Sequence, residues 1–437
     1  MYLEKKKVND IYKIGKECFP ICRSITGEGN RKTLEIFKKF INKLKIKEIE
    51  SGTKVFDWRV PSEWNVEDAY VLDYKNNKII DFKLNNLHLI NYSYPINKIL
   101  RRDELLLKLH SLKKQPNAIP YVTSYYEKNW GFCISENEKK KIKKNYKPSD
   151  KFKVIIKTSF KKNGSLTYSE LLIPGKSKKE IFISTYICHP SMANNELSGP
   201  LMALLISDYF LRKKNIYSIR VIFVPETIGS IAYLSRNLKK LQKNIICGFN
   251  FTCLGDEREY SYLPTKYGDT LIDRAILKNY FDLKIKFKKY LFLDRGSDER
   301  QYNSPGIDLP VASIMRSKYG TYPEYHTSLD DFNVVTKKGL LGSFKVIRNC
   351  IEMIMKNIKP KVTIKCEPQL GRRNLYPKLA KKDNKVFKTR KILDFIQYSD
   401  GKNDLIEISN YIQLSFKETY KIFKTLKKKK IIKTLKL

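Results

Sequence analysis

The chain has 437 residues, 42% of them apolar and 12% aromatic, which is material for two or three packed domains and excludes wholesale disorder. It carries 86 Lys and Arg against 45 Asp and Glu, a net charge of +41. The excess is mostly Lys scattered beside abundant Ile, Asn and Tyr, so compositional bias, rather than a nucleic-acid partner, is the expected source of most of it.

In chain order, apolar spacing predicts helices over Val8–Cys18 and Arg31–Leu44, with Leu34, Phe37, Phe40, Ile41 and Leu44 on one face and Gly27-Glu-Gly29-Asn30 as the break before the second. From about Gly52 to Asn145 short segments rich in Val, Ile, Tyr and Phe alternate with Asn, Asp and Pro. Lys54–Val60, Ala69–Tyr74, Lys78–Lys83 and Tyr121–Tyr126 are read as strands, interrupted by a helix around Asp103–Leu112. Beyond Lys153, Ile181–Thr185, Ile219–Val224, Ile246–Thr252 and Leu309–Met315 are continuous apolar runs of strand length, as expected of strands covered on both faces. Leu201–Leu211 and Val335–Met355 read as helices between and after them.

The alternation predicts an α/β fold, a mixed but mostly parallel sheet flanked by helices, with ligands beyond the carboxyl ends of the strands. Near the end, Arg390–Tyr398, Asp404–Ile412 and Phe416–Lys428 are amphipathic, Ser415-x-x-Glu418 is a capping box, and Ile431–Leu435 could form a β-wing. The expected organisation is N-terminal helices over 1–51, an inserted β-rich module over 52–150, the α/β domain over 151–360, a Pro-interrupted linker over 361–389 and a winged helix over 390–437.

The eight Cys include no C-x-x-C pair, and a long chain with few Cys suits a reducing compartment. No apolar run reaches the ~18–20 residues of a membrane helix. The first residues, MYLEKKKVNDIYKIGKECFP, put charges where a signal peptide needs its apolar stretch. The expectation is a soluble cytoplasmic protein without a membrane partner.

Of four His, His189 follows the Ile181–Thr185 strand by four residues and His326 lies between a strand and a helix, both at strand-end loop positions. His88 and His110 read as structural. Three segments resemble the zinc-dependent aminopeptidases of α/β fold: His189 followed by Asn195-Glu-Leu-Ser-Gly199, Ser297-Asp298 through Tyr302 to Pro305-Gly306-Ile307, and His326-Thr327 with Asp330. More narrowly, Phe19-Pro-Ile-Cys-Arg-Ser-Ile-Thr-Gly27, Val60-Pro-Ser-Glu-Trp64, Ala118–Tyr126, Trp130-Gly-Phe132 and Glu367-Pro-Gln-Leu-Gly371 resemble an uncharacterised bacterial aminopeptidase-like family. That family has an inserted β module and a C-terminal winged helix and is often linked to surface-polysaccharide biosynthesis.

The resemblance implies zinc held by His189 and His326, with Glu226 of Val224-Pro-Glu-Thr-Ile-Gly229 as general base. It also exposes departures. Where the di-zinc enzymes place acids, this chain has Asn195, Thr227 and Thr252, so one ion is expected rather than two. The third ligand is Asn195 or a carboxylate from Glu196, Glu226 or Asp298. Against these readings, Glu226 could equally be an acid at a helix N-terminus, and Asn195 could bond backbone in a turn.

Asp298 and Arg300, in a dense charge cluster, and Arg316 and Tyr319, after the Leu309–Met315 strand, are candidates for substrate binding. The expected activity is amide hydrolysis on a peptide or an N-acyl amino-sugar type of small substrate. The alternatives are a catalytically silent ligand- or partner-binding scaffold and, more weakly, a winged-helix DNA-binding regulator. For the winged helix a protein partner or self-association is expected ahead of nucleic acid, because Lys427–Lys430 suits phosphate and offers little to read bases.

Overall fold

The computed structural model describes residues 2–375 and 384–435. Its chain divides into two compact units, Met1–Gly268 with Phe287–Lys345 and Asp269–Lys286 with Val346–Leu437.

The first unit is built on an eight-stranded sheet: β1 (Lys45–Glu50), β2 (Ser165–Ile173), β3 (Gly175–Tyr186), β4 (Asn215–Val224), β5 (Ile245–Phe251), β6 (Ser261–Leu263), β7 (Lys288–Lys289) and β8 (Val311–Met315). Their order across the sheet is β1-β2-β4-β3-β5-β8-β6-β7. The centre is parallel: β3 pairs with both β4 and β5, and β5 with β8. The flanking pairs β1/β2, β2/β4 and β6/β8 are antiparallel. The four apolar runs read from sequence as buried strands lie within β3, β4, β5 and β8 except that Thr252 falls just past β5 and Leu309 and Pro310 precede β8, and Ile181, Ile183, Ile219, Val221, Phe249 and Ile314 are buried.

The helix Ser198–Leu211 is buried along most of its length, which explains why its sequence is apolar all round rather than striped. Gly199 in its first turn sits against the ends of two strands. An added Cβ would lie 2.3 Å from the Phe251 carbonyl oxygen and 2.6 Å from Thr185 Oγ1, so only glycine lets the helix start this close to the sheet.

The β module carries a four-stranded antiparallel sheet in the order Lys78–Asp81, Glu63–Leu72, Lys151–Lys161, Ile96–Arg101, and a hairpin of Lys54–Val55 with Trp58–Arg59. The strand Lys151–Lys161 lies beyond the expected boundary at 150, because its pairing partners are the module's own strands. Two expectations fail here. Tyr121–Tyr126 is a loop, tied by single bridges at Asn91↔Thr123 and Pro120↔Thr327, and Tyr126 has a left-handed backbone at φ 65. The helix expected around Asp103–Leu112 covers Arg102–Leu106 and gives way to a short strand, Leu109–His110. In both segments tertiary pairing overrides local propensity.

In the second unit the helices Leu405–Tyr411 and Phe416–Lys428 follow the sequence reading closely, whereas Asn384–Gln397 starts six residues before the expected Arg390, inside the stretch read as linker. The wing strand Ile432–Leu435 pairs antiparallel with Lys359–Val362, so a partner strand comes from the stretch read as the end of the α/β domain and the start of a linker. Residues 376–383 of that linker, with Pro377, lie outside the described residues. Ser415 and Glu418 form the reciprocal capping box at the start of the third helix. Ser415→Ala is expected to cost about 1 kcal/mol, measured as faster amide exchange across Phe416–Lys428. Among the described residues no helix is long and apolar enough to cross a membrane.

Candidate active site

The site lies beyond the carboxyl end of β3, within the first unit. After Tyr186 the chain leaves the sheet through Ile187 and Cys188 to His189, whose side chain is 7% exposed. The loop from β8 brings His326 to it: the two imidazole centroids are 5.3 Å apart and tilted by 41°. Two residues 137 positions apart in sequence thus meet.

Each ring is held by its neighbours. His189 Nδ1 lies 2.6 Å from Glu196 Oε2. With Nδ1 occupied, Nε2 is turned toward Glu226, whose Oε2 is 3.8 Å away. His326 stacks on Tyr325, centroid to centroid 3.9 Å, and its buried Nε2 has no hydrogen-bond partner. Tyr121, from the loop of the β module, stands edge-on to both imidazoles at 5.2 Å and donates its backbone N–H to the His326 carbonyl oxygen. Burial, helped by Arg23 at His189 and by His189 at His326, pushes both imidazoles down to about 3. Neutral rings are the form that can donate a lone pair to a metal.

Glu226 is anchored by Ser297 Oγ, which donates to Oε1 at 2.8 Å, and its backbone N–H donates to Cys188 Sγ. Burial and the adjacent Asp298 carboxylate raise its pKa. Asp298 Oδ1 accepts from the Thr227 N–H and from Ser230 Oγ, each at 2.8 Å, while Oδ2 is buried without a partner. Arg300 Nη2 donates to Thr227 Oγ1 at 2.7 Å. Both substrate-binding candidates of the charge cluster therefore border Glu226 through Thr227.

Asn195 is buried beside the site: its Oδ1 accepts from the Tyr186 hydroxyl at 3.4 Å and its Nδ2 is unpartnered. Tyr186 also shares a hydrogen bond of 2.6 Å with Thr252 Oγ1 and lies 5.4 Å from the His189 ring. The neutral replacements at 195 and 252 are thus bridged to one another by one phenol. Asp330 accepts the backbone N–H groups of Asn194 and Asn195 and the Tyr322 hydroxyl, fixing the π-helical turn Ala193–Leu197.

Arg316 and Tyr319 are placed differently from the sequence expectation. Arg316 Nε donates to the Asp256 carbonyl oxygen and its guanidinium lies 3.8 Å from the Tyr260 ring centroid. Tyr319 donates to Glu299 Oε1 and accepts from the Gly296 N–H. Glu299 is itself buried and also accepts from Ser297 N, Asn250 Nδ2 and Ser313 Oγ. Tyr319 therefore braces the loop that carries Ser297, and its hydroxyl is spent inside the fold.

Non-glycine residues with left-handed backbones gather here: Ser191, Thr227, Cys253 and His326 at φ 45, 64, 50 and 55. For the β-branched Thr227 such a conformation costs on the order of 1–3 kcal/mol and is held only by its surroundings. A cavity of about 250 Å³ opens beside Glu226, walled by Cys188, His189, Ile25, Trp58, Tyr125 and Tyr126. Sequence reasoning had not singled out Arg23, Tyr121 or Tyr186. Arg23 offered the one usable signal, a lone cation in the apolar and small-residue segment Phe19–Gly27.

The family model described as "Domain of unknown function (DUF4910)" matches residues 12–357. The chain belongs to this family. A winged helix-turn-helix model matches residues 356–434, so the winged helix begins before the segment expected from sequence and includes the strand at 359–362. A Clostridium acetobutylicum protein named "Putative polysaccharide biosynthesis protein with aminopeptidase-like domain" is 44% identical over 409 residues, 93% of this chain and 92% of its own. A crystal structure from the same species, described as "putative peptidase", is 42% identical with a TM-score of 0.90, covering 99% of this chain and 97% of that one. The zinc aminopeptidase BSAP of Bacillus subtilis, at 12% identity, has a TM-score of 0.59 over 80% of this chain and 94% of its own. The aminopeptidase-like fold with a C-terminal winged helix is established by these likenesses.

His189, His326 and Glu226 are the side chains here that could hold a metal ion. Two neutral imidazoles face each other, one with an unpartnered buried nitrogen, and Glu226 is the carboxylate beside them. Among the described residues, the His, Cys, Asp and Glu side chains whose ligand atoms all fall within 4.8 Å of one another are Cys188, His189 and Glu196. There the Nδ1 of His189 is already bonded to Glu196, and burial raises the Cys188 thiol pKa well above its ordinary value. A protonated thiol is a poor ligand, which leaves the Nε2 positions of His189 and His326 as the atoms that could hold a metal.

Proposed function

We propose that this protein is a metal-dependent amide hydrolase that binds one zinc ion through His189 and His326 and uses Glu226 as its base. The observation that carries the reading is the facing pair of neutral imidazoles with the Glu226 carboxylate 3.8 Å from His189 Nε2. Zinc held there would polarise the scissile carbonyl and acidify a water. Glu226 takes the proton of the attacking water and returns it to the leaving nitrogen. Ser297 keeps one carboxylate oxygen of Glu226 fixed, leaving the other free for this exchange. Asn195 is the neutral third group of the site, and Asp298 with Arg300 orients substrate from the Thr227 side.

The substrate class is a small amide, a peptide or an N-acylated amino sugar. The neutral side chains at 195, 227 and 252 leave little negative charge to hold a free α-ammonium, which favours the acylated amine. The name of the Clostridium relative, with its polysaccharide link, points the same way.

Elemental analysis of purified protein is expected to find about one zinc per chain, lost in His189→Ala and in His326→Ala. Amine release is expected from acylated amino sugars ahead of amino-acid anilides. Trace metal that His189→Ala does not lower would overturn the reading. A silent scaffold is the second reading, favoured by one observation: the Asn195 amide leaves its Nδ2 unpartnered and its oxygen in a long bond to Tyr186.

A further inference from the structure

Arg23 is fully buried and none of the chemistry above uses it. Its Nε donates to the His189 carbonyl oxygen at 3.2 Å and lies 3.7 Å from Glu196 Oε1. Nη1 donates to the Cys18 carbonyl oxygen at 2.5 Å, and Nη2 has no partner. Glu196, with no exposed side-chain surface, has Oε2 on His189 Nδ1 at 2.6 Å and no hydrogen bond to Oε1. A guanidinium, a carboxylate and an imidazole therefore form one buried chain that ends on a residue of the proposed metal pair.

The segment bearing Arg23 is itself clamped. Asn30 bonds both Ser24 N and Ser24 O, Asn91 Nδ2 donates to the Arg23 carbonyl oxygen, and Ser24 Oγ bonds Asn91 Oδ1. Gly29 passes so close to Cys22 that an added Cβ would sit 1.9 Å from its carbonyl oxygen. These bonds hold the backbone that carries the guanidinium, from the N-terminal segment and the β module together.

We propose that Arg23 is a positioning residue for His189: it holds the Glu196 carboxylate and the His189 backbone so that Nδ1 keeps its proton and Nε2 presents its lone pair to the cleft. The inference deepens the hydrolase reading and rests on it for its consequence, tight metal binding. The His189 tautomer itself can be measured without any metal. Partners that orient a ligating imidazole typically contribute 10–100-fold in metal affinity.

The test uses the full chain stripped of zinc and labelled with 15N in its four histidines. The wild type is expected to show His189 in the Nδ1–H form. Arg23→Met is expected to give mixed tautomers and, on titration with zinc alone, a loss of affinity of about 10–100-fold. Arg23→Lys, which keeps the charge, is expected to recover part of both. Glu196→Gln, which removes the link between Arg23 and the ring, is expected to reproduce the Arg23→Met loss, and the double variant to lose little more than either single one. Should Arg23→Met fail to fold, Arg23→Lys and Glu196→Gln still decide. Folded variants with wild-type tautomer and affinity, or losses that simply add, would overturn the proposal and leave Arg23 a packing residue. A wild type that takes up no zinc would instead overturn the hydrolase reading, while the tautomer spectra still judge Arg23.

Discussion

Glu226→Gln is expected to keep the wild-type zinc content and to lower amide hydrolysis by about 10²–10⁴-fold, the range a positioned general base contributes. Gln preserves the Ser297 contact through its amide oxygen, and the backbone N–H of residue 226 still reaches Cys188, so the site's shape is retained. What is lost is the ability to take a proton. Metal content measured on the same preparation separates this outcome from a ligand role: if the variant loses its zinc together with its activity, Glu226 is a ligand and the base lies elsewhere. The pH profile supplies a second check. Glu226 must be ionised to act, so activity is present above its pKa and falls as pH drops through it. Burial and Asp298 raise that pKa, which moves the acid limb above the ordinary carboxylate range. Asp298→Asn removes the neighbouring charge while retaining an oxygen to accept from Thr227 N and Ser230 Oγ, and is expected to shift the acid limb of kcat/KM to lower pH. An unmoved limb would mean that a different group titrates there.

The central sheet and the His pair were legible because they depend on patterns that local sequence carries. Strands buried on both faces are apolar throughout, and residues just past such strands converge on a cleft whatever the rest of the chain does. His189 and His326 satisfy that rule, and the structure brings their rings to 5.3 Å. The residues that orient them obey no such rule. Tyr121 reaches both imidazoles from a loop whose Tyr- and Val-rich sequence reads as a strand, and its backbone bond to His326 joins positions 205 apart in sequence. Arg23 reaches Glu196 from before the β module. Contacts of this range are set by how the module packs on the sheet, and no spacing announces them. Arg316 and Tyr319 show the converse: both follow β8, a strand legible in sequence, but their side chains are taken up inside the fold by the Asp256 carbonyl and Glu299, which no local pattern announces.

Asn195→Asp is the substitution that separates an enzyme from a scaffold. A carboxylate at 195 would stand against the Tyr186 hydroxyl, whose ring packs on His189, with a full negative charge in a buried setting, where a unit charge pair at ~4 Å is worth about 4 kcal/mol at an effective dielectric of 20. Desolvation offsets much of this, so the expected gain is at least about tenfold in zinc affinity, or about 1.4 kcal/mol, measured by competition with a chelator. The backbone N–H of residue 195 still donates to Asp330, and Tyr186 can donate to the new carboxylate as it does to the amide, so the turn need not rearrange. If the wild type is a working hydrolase, its zinc content is already near one per chain, and Asn195→Asp tightens binding while changing the rate modestly. If the wild type is a scaffold, it carries little metal and shows no turnover, and the variant gains both from a near-zero start. On the hydrolase reading, the charge at position 195 would set whether the His pair holds an ion weakly or firmly, and the two readings predict opposite starting points for the same titration.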